Sequence, residues 1–78
     1  MTEESKKHLL DTSGLSCPEP VMLLHGAVRD AASGDIIVVK ATDPSTQRDI
    51  PKFCRYLNHT LLNSEEEAGL FTFEIRKA

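Results

Sequence analysis

Cys17 is followed at once by Pro18 and, after Glu19, by Pro20, and the stretch SCPEPV then runs into apolar residues with helical spacing. Proline has no N–H and a fixed φ. It breaks a helix interior but is tolerated in the first turn, where N–H groups have no intrahelical acceptor. The two prolines therefore pin a helix start to this point. From Pro18 to about Ala32, the residues Val21, Leu24, Val28 and Ala31 lie on one helical stripe. This spacing places Cys17 at the N-cap, Pro18 at N1, Glu19 at N2 and Pro20 at N3. The N–H groups of Glu19 and Val21 are left to face the sulfur. A helix N-terminus lowers a thiol from its ordinary pKa of ~8.5, and Glu19, an anion in the same turn, opposes part of that effect.

The other elements follow from periodicity. HLLD, residues 8–11, reads as a short strand ended by TSG. DIIVVKAT, residues 35–42, reads as a β-branched strand, with Gly34 placed to end the first helix. Asp43 is an N-cap candidate with Pro44 as the first helical residue. Ile50, Phe53, Cys54, Leu57 and Leu61 then form the apolar stripe of a second helix. Pro51 cannot donate to the Gln47 carbonyl and restricts Ile50, so the regular helix is expected only from about Pro51 to His59. In LLNSEEEAGLFTFEIRK, Phe71, Phe73 and Ile75 alternate with polar residues and Gly69 marks a turn, which is a hairpin pattern.

The order β-α-β-α-β-β predicts an α+β fold, a two-layer α/β sandwich with two helices on one face of a four-stranded mixed sheet. Its first β-α-β unit should be a right-handed crossover between parallel strands. The run IIVV is apolar on both faces. A central strand covered on both sides is the commoner reason, and a far face left apolar for a partner is the other.

With 78 residues the chain amounts to one domain, residues 8–78, behind a loose tail at 1–7. A domain of this size buries only ~60% of the surface its unfolded chain exposes, so chemistry belongs near the surface. The net charge of −3, with one Tyr and three Phe, argues against a nucleic-acid footprint. No apolar run approaches the ~18 residues a membrane span needs, and MTEESKK leads into no signal-peptide core. A cytoplasmic protein without membrane contact is expected.

What, then, does the thiol do? No histidine lies at a spacing that would pair it with Cys17 as a base, since His25 sits two helical turns away. The position three residues after Cys17 is Pro20, not a second cysteine, which removes the usual dithiol motif. Cys17, Cys54, His8, His25 and His59 show no paired ligand spacing, so no metal is expected. The residues describe a lone, exposed, stiffly held thiol suited to accepting and releasing a group.

DTSGLSCPEPVMLL, followed by GD, ATDPSTQRDIPKFC and EIRK, closely resembles the TusA family of small sulfur carriers, from about His8 to Lys77. The resemblance implies a βαβαββ sandwich, in agreement with the periodicity. It implies that Cys17 takes sulfane sulfur from the persulfide of a pyridoxal-phosphate cysteine desulfurase and carries it as Cys17–S–SH. A downstream relay protein is the implied acceptor, with the 2-thio group of tRNA wobble uridine as the best-known destination. A carrier of this kind needs no cofactor of its own and is a sulfurtransferase only in the loose sense. Pro18, Glu19 and Pro20 frame the site.

Cys54 shares the stripe of Ile50, Phe53 and Leu57 and is read as core. Arg48, Lys52, Arg55 and His59 fall on the polar side of the second helix, where they are either solvated surface or a basic face for an acidic partner. Two other classes fit the same fold: an RNA-binding module, and a redox switch in which Cys17 is oxidised.

Overall fold

The fold is that of a computed structural model in which residues 6–16 and 18–78 are described. Its elements are β1 (Lys7–Thr12), α1 (Glu19–Asp30), β2 (Ile36–Ala41), α2 (Thr46–Tyr56), β3 (Thr60–Glu67) and β4 (Leu70–Arg76). The strands lie in the order β1-β2-β4-β3, with β1 parallel to β2 and β4 antiparallel to both of its neighbours. The α+β two-layer sandwich read from the sequence is the observed architecture.

This order fixes the direction of the helices. β2 and β3 both oppose β4, so β1, β2 and β3 all run the same way. Each helix must then run back against them. The N-termini of α1 and α2 therefore share the end of the domain where β1 and β2 finish. Both crossovers also advance in the same direction across the sheet, and a single hand of crossover puts both helices on one face. α1 packs on β1 and β2, while α2 packs on β3, β4 and α1.

The core fills the space between the layers. Ile37 and Val39 of β2 face Ile75 and Phe73 of β4 across the ladder, all four fully buried. Leu24 and Val28 of α1 and Ile50, Phe53 and Cys54 of α2 close over them. Deleting methylenes at a site like Phe73 costs transfer energy plus a cavity term. The opposite sheet face carries no helix or strand among the described residues, and Ile36 and Val38 are only half-buried there. The covered central strand expected for IIVV is thus covered on one side only, because both crossovers share a hand.

The helix ends differ from the spacing in instructive ways. α2 runs without interruption from Thr46 to Tyr56 with Pro51 inside it, not from Pro51 to His59. The carbonyl that Pro51 orphans belongs to Gln47, which is exposed, so water can satisfy it. The buried side chains of Ile50, Phe53 and Cys54 then outweigh the local cost. Asp43 is not the N-cap, which is Ser45. Asp43 instead shapes the preceding turn: its carboxylate accepts the Ser45 N–H at 3.0 Å and its carbonyl the Thr46 hydroxyl at 2.6 Å. The helix stops at Asn58, which adopts φ 64°. The His59 N–H returns to the Cys54 carbonyl and the Asn58 N–H to that of Arg55, the two bonds of a Schellman cap. Leu57 therefore ends exposed at the cap, and Leu61 joins the core from β3 rather than from the helix.

Gly34 does not cap α1 either. The C-cap is Ala31, and its carbonyl accepts Lys77 Nζ at 2.9 Å. Gly34, at φ 93°, serves the turn into β2. In the hairpin, Ala68 at φ 52° and Gly69 at φ 85° make the two positive-φ positions of a type I′ turn.

One carboxylate holds the end of the domain away from the helix N-termini. Asp35, 6% exposed, accepts the N–H groups of Lys6 and Ala32 and pairs with His8 Nε2 at 2.9 Å. Its own carbonyl accepts the Lys77 N–H. It thereby ties β1, the end of α1, β2 and β4 together. The His8 contact, then the Ala32 and Lys6 N–H groups, hold its carboxyl down at about 2. A depressed carboxylate contributes stability that is present above its unfolded pKa and is lost as pH falls through the folded value. Urea midpoints followed from pH 7 to pH ~2 should therefore show Asp35→Asn less stable than wild type at neutrality. The gap should close between the ordinary 3.8 and about 2; a gap that is constant with pH would remove Asp35 from this role.

Candidate functional site

The loop from β1 to α1 is fastened from below before it reaches position 17. Thr12 is fully buried and its hydroxyl donates to the Lys40 carbonyl at 2.7 Å. Ser13 N–H donates to the Asp11 carboxylate, and Leu15 N–H to the Thr12 carbonyl. Gly14, at φ 85°, turns its N–H onto the Thr42 hydroxyl at 2.8 Å, which joins this loop to the one leading into α2. An L side chain at that φ is strained even though space is open around it. Of these residues the sequence offered only Gly14 as a signal, inside the TSG that ends the strand.

Cys17 itself lies outside the described residues, while its neighbours are placed. Pro18 is the N-cap of α1, Glu19 the first helical residue and Pro20 the second. Each therefore stands one position earlier along the helix than the spacing suggested, and Cys17 precedes the cap instead of forming it. The shift has a local cause. Across position 17, the Glu19 N–H donates to the Ser16 carbonyl at 2.9 Å, and the first helical bond runs from the Met22 N–H to the Pro18 carbonyl at 3.0 Å. The Glu19 N–H, expected to face the sulfur, is thus committed to Ser16. Pro18 and Glu19 are exposed, whereas Pro20 is buried, so one proline lies at the surface and the other anchors the turn to the core.

Apolar surface flanks this loop on both sides. A groove of about 440 Å³ between the helices is lined by Pro18, Val21 and His25 of the α1 side and by Lys52, Phe53 and Tyr56 of α2, among others. Tyr56 is 85% exposed at its rim. On the other side Leu15, Glu19, Met22 and Leu23 line a smaller hollow of about 220 Å³. Large exposed apolar side chains gathered around one loop mark a contact surface rather than a scatter.

The three candidate cations of α2 are all exposed. Lys52 shares the groove with Pro18, whereas Arg48 and Arg55 do not line it. Arg48 Nε approaches the Asp49 carboxylate at 3.4 Å, a surface pair of small worth. His59 leaves this face altogether. It follows the helix end, its ring lies 5.7 Å from that of Phe53, and its Nδ1 accepts the Ala78 N–H. Burial, with Lys77 adding to it, lowers its pKa. Among the described residues no cluster of three or more His, Cys, Asp or Glu is arranged to hold a metal, and no helix is long and apolar enough to cross a membrane.

Cys54 is 2% exposed in the core, and burial pushes its thiol up to about 11. At pH 8 its thiolate is then only ~1 part in 1,000, and the sulfur is also screened from reagents. Maleimide labelling of the native protein, read by peptide mass, should modify Cys17 at least ~100-fold faster than Cys54. Both should react once denaturant is added. Equal native rates would refute the division of the two thiols into reactive and inert.

Comparison with known proteins identifies the family. Residues 8–77 match the family model described as Sulfurtransferase TusA. The chain is 56% identical over 77 residues to the sulfur carrier protein TusA of Pseudomonas putida strain W619, covering 99% of this chain and 96% of that protein. It is 59% identical over 69 residues to the sulfur carrier protein TusA of Pseudomonas aeruginosa strain LESB58, covering 88% and 87%. The chain belongs to the TusA family.

Proposed function

We propose that this protein is a sulfur carrier that accepts sulfane sulfur on Cys17 from the persulfide of a cysteine desulfurase and relays it to an acceptor protein. The destination we assign is the 2-thio group of tRNA wobble uridine, and the setting is the reducing cytoplasm. The observation that carries the reading is the Cys-Pro-Glu-Pro stretch standing at the end of the domain where both helices start, in a chain of this family. The buried, unpaired Cys54 suits a reducing compartment.

The chemistry balances without an added oxidant. The Cys17 thiolate attacks the outer sulfur of the donor Cys–S–SH. The new S–S bond forms as the donor's own S–S bond breaks, and the donor cysteine leaves as a thiolate. In the second step an acceptor thiolate attacks the outer sulfur of Cys17–S–SH, and Cys17 leaves in turn. With the Glu19 N–H committed to Ser16, what remains to favour the anionic sulfur is the dipole of the helix that starts beside it. The bonds from Thr12 and Gly14 fasten the segment that leads toward Cys17. The groove beside Pro18, with Lys52 at its wall, and the Met22–Leu23 side are surfaces on which those partners dock.

Incubation with a cysteine desulfurase and labelled cysteine tests this. Cys17→Ser should fold normally and gain no sulfur, because a serine hydroxyl does not hold sulfane sulfur. Cys54→Ser should load sulfur yet lose ~1 kcal/mol or more of stability, since it buries a hydroxyl in an apolar site. Label on the Cys17→Ser protein would end the assignment. Pro18→Ala with Pro20→Ala should keep the fold and slow the loading, because freeing two φ angles loosens the loop. Unchanged loading would reduce the prolines to a helix start.

A further inference from the structure

The two edges of the sheet are built differently. β3 is the outer strand on one side, and it carries Asn63, Ser64, Glu65, Glu66 and Glu67, all exposed, with a register break between Leu61 and Asn63. Pairing such a strand with its own copy would stack like charges on a bulged edge, a known means of blocking association. β1 is the outer strand on the other side, and among the described residues nothing pairs with its outer edge.

The backbone of β1 is poised for a partner. The Ile36 N–H donates to the Lys6 carbonyl, and Lys7 is the residue opposite Ile36 in the parallel register. In a parallel ladder alternate residues bond to the neighbour. Lys6, His8, Leu10 and Thr12 therefore turn their backbones toward β2, while Lys7, Leu9 and Asp11 turn their N–H and C=O groups outward. The same three residues place their side chains on the open sheet face, and all three are exposed, Leu9 at 68%. Along this edge the sequence is positive, apolar, negative.

We propose that two copies of this chain associate through the outer edges of their β1 strands, antiparallel and centred on Leu9, to form one continuous eight-stranded sheet from two four-stranded ones. About this centre Leu9 faces Leu9 of the second copy, Lys7 faces Asp11, and Asp11 faces Lys7. Every one of these residues has its backbone groups turned outward, so each facing pair exchanges both bonds, about six in all. A shift by one residue would set outward groups against inward ones, and a shift by two would set Leu9 against a charge. The register is therefore specified by backbone, charge and apolar contact together. Asp11 stays exposed while it accepts the Ser13 N–H, so its carboxylate remains open to a lysine.

Six residues of strand span only ~20 Å, which makes a small interface and a weak, concentration-dependent dimer. The two-fold axis stands perpendicular to the sheet and the paired strands run in opposite directions. The ends carrying the Cys17 loops therefore point away from each other, and both stay uncovered. The pairing is independent of the sulfur-relay reading.

Sedimentation equilibrium of the full chain from ~10 μM to ~1 mM tests it. Wild type should pass from monomer toward dimer over that range. Lys7→Glu and Asp11→Lys should each weaken association about tenfold, and the double variant should return to within about threefold of wild type. Leu9→Lys should abolish the dimer with an unchanged melting curve, since Leu9 is already exposed. Exchange of the Lys7, Leu9 and Asp11 amides should slow with concentration, while that of His8 and Leu10 should not. A monomer at every concentration overturns the proposal, as does a dimer that ignores Leu9→Lys. A double swap no tighter than the single variants overturns it equally.

Discussion

The pairing of β2 with β4 is the constraint from which the rest of this domain follows. Alternation along the two strands sets Ile37, Val39 and Ala41 against Ile75, Phe73 and Phe71, all on one face and all buried. A slip of one residue would turn this whole set to solvent and bring Ile36, Val38, Glu74 and Thr72 into the core. β4 enters between β2 and β3 from the C-terminal hairpin, so the segment from β2 to β3 must cross over it. That crossover, like the first, needs a helix to span it, and both helices are driven onto the face that the buried alternation has made apolar. The gathering of both helix N-termini at one end is a consequence of this strand order.

The domain thereby acquires two poles with different physical tasks. At one, the Asp35 carboxylate, the Lys77 ammonium on the Ala31 carbonyl and the Gly34 N–H on the Lys77 carbonyl close the ends of four elements against one another. At the other, the Thr12 hydroxyl and the Gly14 N–H tie the loop to neighbouring segments while its remaining bonds are local, and its surroundings are left exposed and apolar. Binding surfaces of small domains are drawn from the less densely bonded regions. A carrier that must dock two partners in turn needs the second pole open, and the first supplies the rigidity against which the loop is fixed.

The fold class was legible because its signals are periodic. The alternation of Phe71, Phe73 and Ile75, the β-branched run at 36–39 and the stripe Leu24–Val28 each repeat a pattern along several residues, and burial rewards each repeat. The helix ends were not legible to the same degree, because each is decided by one or two bonds to residues distant in sequence. Gly34 resembles a C-cap locally, yet Asp35 and Lys77 do the closing. Pro51 reads as a breaker, yet Ile50, Phe53 and Cys54 bury enough apolar surface to carry the helix across it. At the site, Cys17, Pro18, Glu19 and Pro20 stood out at once, whereas Thr12 and Thr42 could not, since a threonine holding a loop through one hydroxyl leaves no pattern. His59 was misplaced because the αL conformation of Asn58 ends the helix just before it.

The fold keeps the thiol of Cys54 inert. If Cys17 carries sulfane sulfur as proposed, a second accessible cysteine would compete with it and form an internal disulfide by expelling the carried sulfur as hydrosulfide. Cys54 is removed from that competition twice over. Its sulfur is buried beneath α2, and the same burial raises its pKa so that the nucleophilic form is nearly absent at neutrality. Neither protection depends on the residues around Cys17. Both follow from Cys54 lying on the Ile50–Phe53 stripe, and they hold only while α2 stays packed on the sheet. The Schellman cap, which fastens the Cys54 carbonyl to the His59 N–H at 2.8 Å, therefore does more than end a helix. It closes α2 at the turn that carries Cys54, and so helps hold that thiol in the core.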